Sequence, residues 1–102
     1  MKGVISMQDN YSYPLDETWS QEDIVTVIDL YNAVEKAYES GVKRDEFLQK
    51  YRSFQQVVPM KMEQKRLDKE FERESGYSIY QVFKQCQKAK NSEKVRIRNE
   101  RR

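Results

Sequence analysis

Apolar residues along this chain fall into four stretches that repeat every three or four positions, with short polar breaks between them. Ile24, Val27, Ile28, Tyr31, Val34 and Tyr38 form the first, at the spacing of a helix with one buried face. Asp29, Glu35, Lys36 and Glu39 fall off that line. Phe47, Leu48, Tyr51 and Phe54 make a second stripe. Met60, Leu67 and Phe71 make a sparser third, and Ile79, Val82, Phe83 and Cys86 a fourth. These patterns predict helices over about residues 21–40, 44–56, 60–75 and 79–90.

Start and stop signals agree with the periodicity. Ser20 and Ser78 each follow an aromatic residue (Trp19, Tyr77) and each precede, three residues on, a side chain able to reach back (Asp23, Gln81). That is the capping-box arrangement, with Ile24 and Val82 placed to close a hydrophobic staple. Gly41 and Gly76 stand where a left-handed residue ends a helix. Pro59 ends the second helix by forcing Val58 out of the helical region, and Asp45 and Glu46 suit the positive end of that helix's dipole. Ahead of the helices, residues 10–16 (Asn-Tyr-Ser-Tyr-Pro-Leu-Asp) read as an extended arm lying on the bundle. Val95-Arg96-Ile97-Arg98 alternates with period two, but it is brief and highly charged, so a frayed tail is expected there. The fold class is therefore all-α: a small four-helix bundle-like domain with an extended N-terminal arm and a flexible basic C-terminal tail. Residues 1–9 are expected to be flexible, 10–90 to form a single helical domain, and 91–102 to be a disordered basic tail. Short connections make consecutive helices neighbours, often antiparallel.

With 102 residues, 37% apolar and 35% charged, the chain has room for one domain with a thin core. Seven Tyr, four Phe and one Trp place much of the burial on a few large side chains. The formal charge of +2 conceals an asymmetry. Residues 91–102 hold five cations (Lys94, Arg96, Arg98, Arg101, Arg102) against Glu93 and Glu100, so the other ninety residues carry a net −1. Cys86 is the only cysteine and has no internal disulfide partner, as expected of a chain in the reducing cytoplasm. No stretch approaches the ~20 apolar residues that span a bilayer, so no membrane association is expected. The first six residues lack the apolar run of a signal peptide, and Met7 is an alternative start.

The chain contains no histidine, which removes the commonest acid–base group at neutral pH and the commonest metal ligand. Cys86 sits at helical spacing from Val82 and Phe83 and reads as a small core residue. Three scattered glycines make no phosphate-cradling loop. Glu63, Glu70 and Glu74 flank the Leu67–Phe71 stripe. With a carboxylate from another helix they are candidates for a metal site, but the simpler reading is a solvated edge paired with lysines. No enzyme activity, cofactor or metal is expected on these grounds.

Two features point to binding instead. Lys61, Lys65, Lys69 and Arg73 recur every four residues, which puts them on the side of their helix away from Leu67 and Phe71; with the basic tail they are candidate phosphate contacts. Asp68 and Glu72, at i+3 from Lys65 and Lys69, are placed to compensate them, and residues 61–75 hold five basic and five acidic side chains. Tyr11, Tyr13, Leu15, Trp19, Tyr77 and Tyr80 are candidate partner-binding residues wherever they are left exposed.

Several segments together carry a family likeness: Asn10 to Asp16 followed by Trp19-Ser20, Ala33 to Glu39 with Gly41 to Arg44, Lys50 to Phe54, Val58-Pro59, Glu63 to Leu67, and Ser75 to Tyr80. Over about residues 10–90 the chain resembles the YktA-like family of small uncharacterised proteins from low-GC Gram-positive bacteria. The resemblance implies a compact helical domain and supplies no catalytic or ligand residue. The resulting expectation is a cytoplasmic, non-enzymatic protein–protein interaction or adaptor module with an unidentified protein partner. The alternative is a nucleic-acid-associated protein using the basic back of the third helix and the tail.

Overall fold

Four helices form, in order α1 (Gln21–Glu39), α2 (Arg44–Val57), α3 (Lys61–Ser75) and α4 (Ile79–Lys88), in a computed structural model that describes residues 11–98. The expectations for residues 1–10 and 99–102 lie outside the described residues. Entry to α1 is set by Asp16, whose carboxylate accepts the Thr18 N–H at 2.8 Å and turns the chain. Ser20 then closes a full capping box with Asp23. The second predicted box forms only in half. Ser78 Oγ accepts the Gln81 N–H at 3.2 Å, but the Ser78 N–H that Gln81 would take donates instead to the Tyr38 hydroxyl at 3.1 Å, and Asp68 on α3 accepts the N–H of Ile79 at 2.7 Å and of Tyr80 at 3.2 Å. A charged acceptor from a neighbouring helix binds free N–H groups more strongly than a neutral amide from the same turn. Gly41 (φ +109) and Gly76 (φ +83) end α1 and α3 in the positive-φ region, as their positions predict.

α1 is the centre of the molecule and is buried on more than one side. Val27, Leu30, Tyr31, Ala33, Val34 and Ala37 are all in the core, a wider arc than the one-faced stripe of the sequence reading. Around it pack Phe47 and Phe54 of α2, Leu67 and Phe71 of α3, and Ile79, Val82 and Cys86 of α4. Phe71 stacks on Tyr31 with ring centres 4.6 Å apart, and Tyr51 stacks on Phe83 at 4.5 Å. The N-terminal arm covers the α1–α3 seam. Tyr13 is 3% exposed, its ring centre is 5.4 Å from that of Tyr31, and the Tyr31 hydroxyl donates to the Pro14 carbonyl at 2.8 Å.

The C-terminal segment departs from the expected disordered tail over residues 91–98. Lys94–Val95 (β2) pairs antiparallel with Val42–Lys43 (β1), Val42 opposite Val95 and Lys43 opposite Lys94. The pairing holds because the short alternation has inward positions worth burying: Val95 is 6% exposed and Ile97 packs against the core. Backbone and side-chain hydrogen bonds fix the turn before it. Arg44 donates from its N–H to the Glu93 carbonyl at 2.8 Å, from Nε to the Cys86 carbonyl at 3.0 Å and from its guanidinium to Asn91 at 2.9 Å. Beyond the strand, the Ile97 N–H reaches the Ala37 carbonyl at 2.9 Å.

Candidate functional site

Three surfaces bring together the side chains that the sequence singles out. The first is the arm. Tyr11 and Tyr13 direct their hydroxyls at Glu35 of α1, a carboxylate with only 5% of its residue surface exposed. The Tyr13 oxygen lies 2.9 and 3.0 Å from the two carboxylate oxygens and 3.0 Å from Asn32 Oδ1. Glu35 falls outside the sequence-predicted stripe, yet it is buried, because two phenols replace the water it loses. Burial raises its pKa above the ordinary carboxylate range, and the two tyrosine hydrogen bonds pull part of that shift back. Burial also pushes the Tyr11 phenol well up, with Glu35 adding to the effect, so the phenol stays a donor throughout the neutral range. The cluster is an anchor for the arm, walled by the rings of Tyr31 and Phe71.

Of the six aromatic-arm and cap candidates, the structure commits most to packing. Tyr11, Leu15, Trp19 and Tyr77 are partly buried against the core, and Tyr13 is inside it. Tyr77 stacks on Tyr38 at 4.4 Å and donates to Glu39 Oε2 at 3.0 Å; its pKa is pushed up to about 12 by burial, then by Glu39. Only Tyr80 stands out, 55% exposed, with Lys84 Nζ 5.4 Å from its ring centre.

The outward face of α3 is the second surface. Lys61, Lys65, Lys69 and Arg73 are all exposed, and among the described residues none of them has an ion pair. The expected compensation does not form: Asp68 is taken by the start of α4, while Arg66 takes Glu63 at 2.6 Å and Glu70 at 3.0 Å. Met62, and Met60, which the periodicity had put on the buried line, flank Lys61 and are 74% and 65% exposed. The carboxylates of the metal reading are thus split, with two on Arg66 and Glu74 exposed. Among the described residues no three of His, Cys, Asp and Glu stand together in a way that holds a metal ion. Cys86 is buried, and burial pushes its thiol pKa up to about 11.

The third surface was not anticipated as a folded feature. Lys88 of α4 meets Lys94 and Arg96 of the β2 segment around a shallow depression of about 210 Å³, with Gln85 and Glu93 beside them. The period-two alternation of residues 95–98 was the signal that could have found it.

A model of an uncharacterised protein family, UPF0223, matches residues 10–95. The chain belongs to that family. UPF0223 proteins similar to it occur in Bacillus cytotoxicus, 47% identical over 87 residues that cover 85% of this chain and 94% of the relative. Another from Streptococcus uberis is 49% identical over 88 residues, covering 86% and 92%. The Oceanobacillus iheyensis relative is 47% identical over 83 residues, covering 81% and 94%. These are low-GC Gram-positive bacteria, as the resemblance implied. The UPF0223 match runs to Val95 rather than ending near residue 90, so it takes in β2. Within the described residues of this UPF0223 chain, no helix is long and apolar enough to cross a membrane.

Proposed function

We propose that this UPF0223 protein is a non-enzymatic cytoplasmic docking module that binds a protein partner through the outward face of α3. The observation that carries the reading is the pair of exposed methionines, Met60 and Met62, flanking Lys61 in a row of cations that have no ion pair within the described residues. Methionine is adaptable and enriched at protein interfaces. A partner surface with an apolar hollow rimmed by carboxylates complements both parts of this face. The balanced five-to-five charge of residues 61–75 favours such a partner over a polyanion, which calls for a basic surplus. The arm gives less support to a docking role, because Tyr11 and Tyr13 are used to hold Glu35. The lack of histidine and the burial of the thiol support a non-enzymatic role.

A photo-crosslinking residue placed at Met62 in the native host tests the reading, with one at the exposed Arg52 of α2 as control. The expected result is a discrete adduct from position 62, absent from position 52 and lost when Lys61, Lys65 and Lys69 are changed to Glu. No adduct, or the same adducts from both positions, rules it out.

A further inference from the structure

We propose that α4 and the β2 segment form a docking track for single-stranded nucleic acid, with Tyr80 at its head. The inference uses no residue of the α3 face and stands independently of the function proposed above. From Ile79 to Arg98 the chain carries six cations (Lys84, Lys88, Lys90, Lys94, Arg96, Arg98) and one carboxylate, Glu93. That surplus of five exceeds the +2 of the whole chain, and local surplus is what recognises a phosphate backbone. Among the described residues none of the six is in an ion pair. Glu93 uses its carboxylate to accept the Lys90 N–H at 2.7 Å.

The cations lie in two adjoining sets. Tyr80, Lys84 and Lys88 share one face of α4 at successive i, i+4 positions, about 6 Å apart along the axis. Val95 and Ile97 turn toward the core, which leaves Lys94, Arg96 and Arg98 exposed on the outer side. Only Lys94 of these three belongs to β2; Arg96 and Arg98 follow directly after it. The two sets of cations meet where Lys88, Lys94 and Arg96 surround one depression. At the far end the exposed Tyr80 ring, with Lys84 5.4 Å from its centre, is a platform on which an unstacked base can lie.

A single strand fits better than the other polyanions. A duplex hides its base faces from Tyr80. An anionic membrane rewards an exposed apolar face, whereas Val82, Cys86 and Val95 of this surface are all buried.

The test is fluorescence anisotropy of the full chain with a labelled oligouridylate of about twelve nucleotides, between about 50 and 200 mM salt. Binding is expected to fall steeply with salt. The triple variant Lys88→Gln, Lys94→Gln, Arg96→Gln should reduce the log–log salt slope by about 2, at roughly 0.7 per phosphate contact. Tyr80→Ala should lower affinity roughly 5- to 150-fold with the slope retained, as loss of one stacked base does. A control triple, Lys61→Gln, Lys65→Gln, Lys69→Gln, should leave both unchanged, and all variants should melt as the wild type does. The proposal is overturned by absence of binding at the lowest salt, by an unchanged slope in the first triple, by an equal loss in the control triple, or by tighter binding to phosphatidylserine vesicles than to the oligomer.

Discussion

Taking the Glu35 carboxylate out of water is unfavourable by several kcal/mol unless other donors replace the lost hydration. Tyr11 and Tyr13 supply those donors from a segment 24 and 22 residues away, so the arm and the charge hold each other in place. Burial is the larger influence and leaves the carboxyl with a pKa above its ordinary value. In the window between that ordinary value and the raised one, the folded chain binds more protons than the unfolded chain. The contribution of this group to stability therefore falls as pH rises through the window and recovers on acidification. Glu35→Gln removes the titration while keeping much of the shape. In urea unfolding at a series of pH values, the variant should compare worst with the wild type at and below the ordinary carboxylate range and improve relative to it as pH rises above that range. A pH-independent difference would show that the phenols solvate the charge as well as water does. Tyr13→Phe, which strips a donor from the buried charge, should cost about 1–3 kcal/mol at neutral pH.

Helix ends, rather than helix middles, decide how these elements are joined. α1 is capped from its own sequence by Ser20 and Asp23, which is why its start is legible from the chain alone. α4 starts on Ser78, but its first two N–H groups are held by Asp68 of α3, a residue 11 and 12 positions earlier. A further bond runs from the Ser78 N–H to the Tyr38 hydroxyl on α1 at 3.1 Å. The start of α4 is thus the point where three helices are fastened together. Asp68→Ala should destabilise the protein by about 1–2 kcal/mol, the typical effect of losing a helix cap. In native-state hydrogen exchange, the Ile79 and Tyr80 amides should lose more protection than the global loss of stability explains. Equal loss throughout would mean that Asp68 acts on the whole core and not on the joint. The same diversion of Asp68 leaves Lys65 without its expected partner, so a local capping choice shapes the charge of the α3 surface.

What could be read from the sequence is what depends on near neighbours. The four helices, the Ser20 box, the glycine stops and the Phe47–Phe54, Leu67–Phe71 and Val82–Cys86 core positions all follow from spacings of three and four. The features that escaped depend on residues far apart in the chain: Glu35 on the arm, Asp68 on α4, and Val42 on Val95. A sequence shows that residues 95–98 alternate, but not that an extended Val42–Lys43 lies ready to pair with Lys94–Val95. The candidate surfaces were legible in the same degree. The α3 ridge was visible as a repeat, whereas the α4–β2 track needed the strand pairing to bring Lys94 and Arg96 beside Lys88. This makes the ribbon the sharpest test of the molecule as a whole. If residues 91–98 were a passive appendage, a chain ending at Lys90 would unfold at the same urea concentration as the full one. The structure requires otherwise. Burying a valine such as Val95 contributes about 1.5–3 kcal/mol, and the hydrogen bonds from Arg44 to Glu93 and from Ile97 to Ala37 add about 1 kcal/mol each. Truncation after Lys90 should therefore cost about 3 kcal/mol or more and shift the urea midpoint accordingly. The family match extending to Val95 agrees with a ribbon that belongs to the domain itself.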